Sequence, residues 1–506
     1  MRNNQLRAGV LLTYAGMMIS NLISILYTPV MLRFLGQQEY GIYQLAYSVV
    51  SYLGLLSFGF GSSYIRFYSR YRKEDDEKGI ATLNGMFLVI YCTMALIALV
   101  AGMAITGGVD RIFSTSMNGA ELEITRKLMK LMVLNIAFSF PNFVFESYII
   151  AFEQYTFQRI LNLTLSVLNP FLTLPLLLMG YRSISLTLIQ TVLTVTKLLV
   201  NFWFCSKKLK MRFSFRGFYK GMLVEISRFS FFIFLNMIVD QINWNVDKFI
   251  VGRYRGSAAV AVYAVGAQIN QYYVNLSTAV SSVFIPRVNR IVAETDDHVS
   301  LTELLARVGR IQFLVLGYIL NGFVLLGGYF LNIWAGTGYK EAYGVVLLLI
   351  LPVTIPLIQN LGIEIQRAEN RHHFRSYLYL LMAAVNLLIS IPLTIWYGIH
   401  GAAAGTCLCL LVGNGLIMNW YNHVKIGLDM VFFWKQILPL IPGAVAALAA
   451  GGILSAVIRV DTITDFLWVG VIYTIVYGVL QWRIGMNAYE KSLIMSLLKR
   501  KGGALC

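Results

Sequence analysis

Amide and ionisable side chains are scarce in the apolar stretches of this chain, so each one is a candidate for chemistry. Asn236, Asp240, Asn243 and Asp247 recur at steps of four, three and four. On a regular α-helix that spacing places all four on one narrow stripe. At 1.5 Å per residue the stripe is about 16 Å long, roughly half the hydrocarbon thickness of a bilayer. A charged side chain at the bilayer centre costs roughly 2.5–3.5 kcal/mol on insertion scales, so it faces a cavity or a partner. The four residues therefore read either as the lining of a wet path or as polar glue between helices.

Seven further positions raise the same question. Asn142-x-x-x-Glu146 and Asn360-x-x-x-Glu364 lie in the fourth and tenth expected spans. Each acid, with an amide one turn earlier, either faces a cavity or makes a hydrogen bond that shapes a kink, which Pro141 and Pro356 would support. Lys197, fifteen residues into the sixth span, either pairs with an acid or binds an anionic headgroup. Arg66 and Arg287 close the inner ends of two spans. They are topological anchors or a basic mouth for phosphate, whose oxygens guanidinium engages two at a time. His298, His372, His373, His400 and His423 sit in loops or at their edges without metal-ligand spacing. Cys92, Cys205, Cys407, Cys409 and Cys506 read as small apolar packing residues. No metal, no organic cofactor and no catalytic residue is expected, and without a glycine-rich phosphate loop direct ATP use is not expected either.

The elements that must position these residues are membrane spans. The 506-residue chain is 58% hydrophobic and 13% charged, with a mean hydropathy of +0.67, where a soluble protein would be roughly a quarter charged. Fourteen apolar segments are long enough to cross: 8–32, 41–65, 80–106, 131–152, 160–180, 183–205, 229–251, 257–285, 311–333, 341–365, 376–397, 399–421, 436–458 and 463–482. The first exceeds the signal-peptide core length of about 7–15 residues, so it reads as a retained span. With the N-terminus inside, 29 Lys/Arg lie on the inner side and 11 on the outer, and Lys197 lies within a span. That bias follows the positive-inside rule, so the net charge of +17 is mainly a topology signal and no nucleic-acid partner is expected. Residues 110–130 strain the count, since they put Arg126, Lys127 and Lys130 outside. They read as an amphipathic lead into the fourth span.

The chain also repeats. Gly36–Tyr43 at the second span's entrance reappears as Gly256–Tyr263 at the eighth, and those spans end in Arg66 and Arg287. Asn142/Glu146 and Asn360/Glu364 are offset by 218, and Asn169 and Asn386 by 217. Six spans separate the copies, an even number, so both would cross in the same direction around a central cleft. The expected fold is thus an all-α membrane protein of about fourteen transmembrane helices: two parallel-repeat six-helix bundles plus two C-terminal helices. The domains would be 1–206, a basic cytoplasmic linker 207–228, a second bundle 229–421, and 422–506 carrying two helices and a cytoplasmic tail.

The segment Asp247-Lys-Phe-Ile-Val-Gly-Arg-Tyr-Arg-Gly256, followed by Val262-Tyr-Ala264 and Pro286-Arg-Val-Asn289, resembles the second-half signature of bacterial polysaccharide exporters. Phe34-Leu-Gly-Gln-Gln-Glu-Tyr-Gly-Ile-Tyr43 resembles their first-half signature. These are the oligosaccharide flippases (O-antigen and teichoic-acid exporters) of the superfamily that also holds multidrug exporters and the lipid II flippase. The resemblance covers nearly the whole chain. It implies a non-enzymatic transporter of the bacterial inner membrane with both termini cytoplasmic. It also implies a polyprenyl-pyrophosphate-linked oligosaccharide substrate moved by alternating access, with H⁺ or Na⁺ as candidate coupling ions. Glycosyltransferases or a polymerase of the same pathway would be its partners.

Two rivals remain at this point. A multidrug or cation antiporter on the same fold would use Asp240 and Asp247 to bind a cation. An integral-membrane enzyme would need catalytic side chains in a sizeable outer loop, and the first outer loop offers only Arg33 and Glu39.

Overall fold

The computed structural model describes residues 2–217, 220–294, 297–371, 373–458 and 460–502, and every regular element among them is a helix. His372, Cys506 and the loop positions 218–219 and 295–296 lie outside the described residues. Lipid offers the backbone no water to bond, so a chain this apolar satisfies its amides within helices. Among the described residues nine helices are long and apolar enough to cross a membrane, or up to eleven if each of two bent pairs is one span.

Some of these helices are longer than one crossing requires. Arg2–Val50 has 49 residues, about 74 Å of helix against a hydrocarbon core of about 30 Å. It is broken at Gly36, with φ 72° and ψ 169°. Asp247–Ser282 is broken in the same way at Gly256, with φ 81° and ψ −179°. His373–Leu410 is broken at Gly398. A positive φ with extended ψ is open to glycine because it lacks a Cβ. The two Gly–Tyr motifs therefore mark two equivalent breaks in the chain.

The residues pack as two compact units. One runs up to Ala264 and includes Ser390–Ala402; the other comprises Val265–Ile389 and the residues from Ala403. Packing thus divides the chain after Ala264 rather than across the basic 207–228 segment. Lys220–Gln241 lies against Phe60–Lys73 inside the first unit, where the Ser63 and Ser230 hydroxyls are 2.6 Å apart. The hub of this unit is Gly119–Ala151, which packs on Glu77–Gly107, Arg182–Trp203 and Arg2–Val50. Tyr64, Phe87, Leu128 and Phe140 are fully buried there.

In the second unit a core of Leu301, Leu305, Leu357, Leu361, Ile365 and Phe433 joins His298–Trp334 to its neighbours. Leu440–Val457 and Ile463–Leu480, which lie beyond the sequence repeat, pack on His298–Trp334 as well. The Tyr473 and Tyr477 hydroxyls donate to the carbonyls of Tyr318 and Leu314, at 2.7 and 2.9 Å.

Local structure recurs at the sequence offset. Phe157 stacks on Phe204 with centroids 3.7 Å apart, and Phe374 on Tyr421 at 4.1 Å. Glu153 and Asn370 both adopt left-handed backbone. The Met211 amide donates to the Cys205 carbonyl as the Leu428 amide does to Asn422. Each of these pairs is 217 residues apart. Of the two expected kinks, the second falls at a break between helices. Gly119–Ala151 continues through Pro141, whereas Ala342–Ile358 and Asn360–Ala368 meet at 43°. Two prolines, Pro352 and Pro356, precede that bend and remove two backbone donors from successive turns.

Candidate functional site

The seventh-span residues do not form one α-helical stripe. Lys220–Gln241 is α-helical, but Ile242–Val246 is a π-helical turn. The wider i→i+5 turn inserts residues and rotates whatever follows. Asp240 and Asn243 are exposed and Asn236 is half-buried. Asp247 is turned inward, 3% exposed, and accepts a 2.6 Å hydrogen bond from the Tyr263 hydroxyl. The motif Asp247…Tyr263 is therefore a buried hydrogen bond across the Gly256 break.

A different polar stripe is built in the first unit, on Arg182–Trp203. Gln190, Thr194, Lys197 and Asn201 follow the same four-three-four spacing, and each meets a partner. The Tyr43 hydroxyl donates to Gln190 Oε1 at 3.4 Å. Asn135 donates to Thr194 Oγ1 at 2.9 Å. Lys197 forms an ion pair with Glu146. Asn201 donates to Asn142 Oδ1 at 2.8 Å. Of the two readings of Lys197, the structure has the pairing with an acid. Gln158, from Tyr155–Leu178, donates its amide to Glu146 Oε1 at 2.7 Å.

Asn142 and Asn201 are buried, so that end of the seam is interhelical glue. Gln190, Thr194, Lys197, Asn135 and Glu146 are half-buried, with Lys197 and Glu146 retaining 24% and 18% side-chain exposure. The sequence reading missed Gln190, Thr194, Asn201, Asn135 and Gln158. The signal for the first three was the helical spacing already used on the seventh span.

The second unit does not copy this site. The backbone bonds around Glu153 and Asn370 align Ile363, not Glu364, with Glu146. One residue is a rotation of about 100° on a helix, and Glu364 instead pairs with Arg367 on its own helix at 2.7 Å. Asn360 donates to Ser281 Oγ at 3.0 Å. Gln359, which aligns with Asn142, donates to Asn419 Oδ1 at 3.0 Å, one residue beyond Met418, which aligns with Asn201. Arg66 and Arg287 are both exposed, and Arg66 lies 4.7 Å from the centroid of the Phe229 ring.

At the expected outer end of the first unit several charges are paired. Glu39 is 7% exposed and accepts from the Ser183 amide and hydroxyl at 3.0 and 2.6 Å, and from Arg182 at 3.2 Å. It caps the start of Arg182–Trp203, a structural duty that occupies both its oxygens. Residues 110–130 hold a short helix, Val109–Phe113, and the capping box Asn118/Glu121 that opens Gly119–Ala151. A cavity of about 490 Å³ beside them is lined by Arg126, Lys127 and Lys130. Two of these cations are already matched, Arg126 by Asp110 and Lys127 by Glu123.

Comparisons with known proteins agree on the kind of protein this is. The chain is 21% identical to the "Uncharacterized membrane protein EpsK" of Bacillus subtilis (strain 168), covering 96% of this chain and 97% of that one. It is 20% identical to the "Putative O-antigen transporter" of Shigella flexneri, over 80% of this chain and 94% of the relative. Its fold is similar to that of the lipid II flippase MurJ in an inward closed conformation, with a TM-score of 0.75 and 14% identity over 96% of this chain and 99% of MurJ. An inward-facing multidrug resistance MATE family transporter of the MOP superfamily shares the fold at a TM-score of 0.66 and 12% identity, over 83% and 96% of the two chains. The family model described as "Polysaccharide biosynthesis protein" matches residues 6–292. Because that match spans more than half of the chain, including both Gly–Tyr breaks and the whole Lys197 seam, this multi-pass membrane protein belongs to the polysaccharide biosynthesis protein family.

Proposed function

We propose that this protein is a flippase that moves a polyprenyl-pyrophosphate-linked oligosaccharide from the cytoplasmic to the outer leaflet by alternating access, for surface polysaccharide synthesis. The observation that carries the reading is the half-buried seam on Arg182–Trp203: amide and hydroxyl groups, at the right scale for sugar hydroxyls, around one ammonium suited to phosphate. Family membership and the fold shared with a lipid II flippase support it. Counting each glycine break at Gly36, Gly256 and Gly398 as a change of span turns the eleven candidate crossings into fourteen, in keeping with two six-helix bundles and two further helices. An even number of crossings puts both termini on one side, which the inner excess of Lys/Arg makes cytoplasmic.

The second reading is a multidrug or cation antiporter. The exposed carboxylate of Asp240 and the fold shared with MATE transporters favour it. A deletion strain decides between them. Under our reading it accumulates lipid-linked oligosaccharide on the cytoplasmic face and loses surface polysaccharide. Intact surface polysaccharide with heightened sensitivity to cationic drugs would establish the antiporter instead.

A further inference from the structure

We infer that Lys197 binds the pyrophosphate of the carrier, that Glu146 is its internal stand-in when the site is empty, and that exchanging one for the other takes up a proton on Glu146. The inference rests on the flippase reading and supplies its coupling ion.

Three observations converge on it. Lys197 already holds an anion, the Glu146 carboxylate, and both groups keep about a fifth of their surface open, so a ligand can reach the pair. A pyrophosphate offers more charge and more acceptor oxygens than one carboxylate, so it competes well for the ammonium. Gln158 is placed to retain the displaced acid. Its Nε2 donates to Glu146 Oε1, while its own Oε1, on a residue 6% exposed, accepts no hydrogen bond among the described residues. A protonated Glu146 would donate its O–H to that oxygen. Acid and amide would then form a closed two-bond pair, and the buried acceptor would be satisfied.

The exchange balances. The Lys197 ammonium releases Glu146 and takes a phosphate oxygen, and one proton from water bonds to the freed carboxylate. The charge within the site changes only by what the ligand and that proton bring. The groups around Glu146 fit such a switch. Lys197 faces it from Arg182–Trp203, and Gln158, which does not titrate, from Tyr155–Leu178. Beside it the Cys205 thiol donates to the Phe145 carbonyl at 3.6 Å. Arg72, from Phe60–Lys73, lies over the Phe152 ring at 5.0 Å, more than a turn further along. Tyr68 packs on Tyr148. No second carboxylate pairs with Lys197 among the described residues.

The test uses the purified full chain in detergent, with farnesyl pyrophosphate and inorganic pyrophosphate as probes, between pH 7.5 and 9. Binding linked to one proton strengthens about tenfold for each unit the pH falls. We expect wild-type binding to strengthen as the pH falls, with net proton uptake on binding from a weakly buffered dye solution. Glu146→Gln should bind with a flat pH profile and take up about one proton less. Lys197→Gln should lose binding across the range, and Lys197→Arg should restore it, which a folding defect would not do. Tighter binding of farnesyl pyrophosphate than of inorganic pyrophosphate assigns the site to the lipid carrier; equal binding overturns that assignment. Equal slopes for wild type and Glu146→Gln would overturn proton exchange while leaving the flippase reading standing. The flippase reading fails separately, through an unaffected deletion strain.

Discussion

Glu490→Ala tests how the second unit is held together at its C-terminal end. Arg310 and Glu490 are 4% and 3% exposed and form an ion pair, with Nη2 to Oε2 at 2.8 Å. The same guanidinium donates to the carbonyls of Gln436 and Gly485, so one side chain ties His298–Trp334, Met430–Ile437 and Ala488–Gly502 together. Removing one partner of a buried pair leaves the other charge uncompensated, at about 3–5 kcal/mol. Glu490 also closes a capping box with Asn487, at 2.9 and 3.0 Å, whose loss adds about 1 kcal/mol. The two carbonyl bonds survive, which holds the total to about 4 kcal/mol. For a cooperative unit of 150–250 residues that is a fall of about 8–16 °C in midpoint. The assay is thermal unfolding of the purified protein in detergent. The double variant Arg310→Met/Glu490→Met removes both charges but also the two hydrogen bonds to the Gln436 and Gly485 carbonyls, so it should recover only part of the loss. A Glu490→Ala midpoint within 2 °C of wild type, or a double variant as unstable as the single, would refute the reasoning.

Asp240→Asn, at normal membrane levels, should reduce surface polysaccharide export measured against wild type; unchanged export would remove Asp240 from the pathway. Arg287→Ala should lower export more than Arg216→Ala, both residues being exposed; equal effects would leave Arg287 a topological anchor. A Cβ at Gly41 would collide with the Ser257 carbonyl, while Gly54 has open space around it. Gly41→Ala should therefore lower the unfolding midpoint by an amount equivalent to about 1–3 kcal/mol, and Gly54→Ala should leave it nearly unchanged. Similar midpoints for the two variants would contradict the close approach.

Hydropathy carried the all-helical, membrane-spanning character of the fold because it rests on local terms. Whether a stretch partitions into lipid is close to a sum over its own residues, so the helices and their apolar character were readable one stretch at a time. The breaks at Gly36 and Gly256 were readable too, since each depends on a glycine at the head of a repeated motif. Partnership is not a local property. Lys197 lies 51 residues from Glu146, and whether it meets an acid depends on the depth and rotation of two helices packed together. One π-helical turn carried Asp247 from an expected open stripe to the buried hydroxyl of Tyr263. One residue of register separated Glu364 from the position that matches Glu146. A rotation of about 100° per residue alters no span, but it decides which side chains share a site.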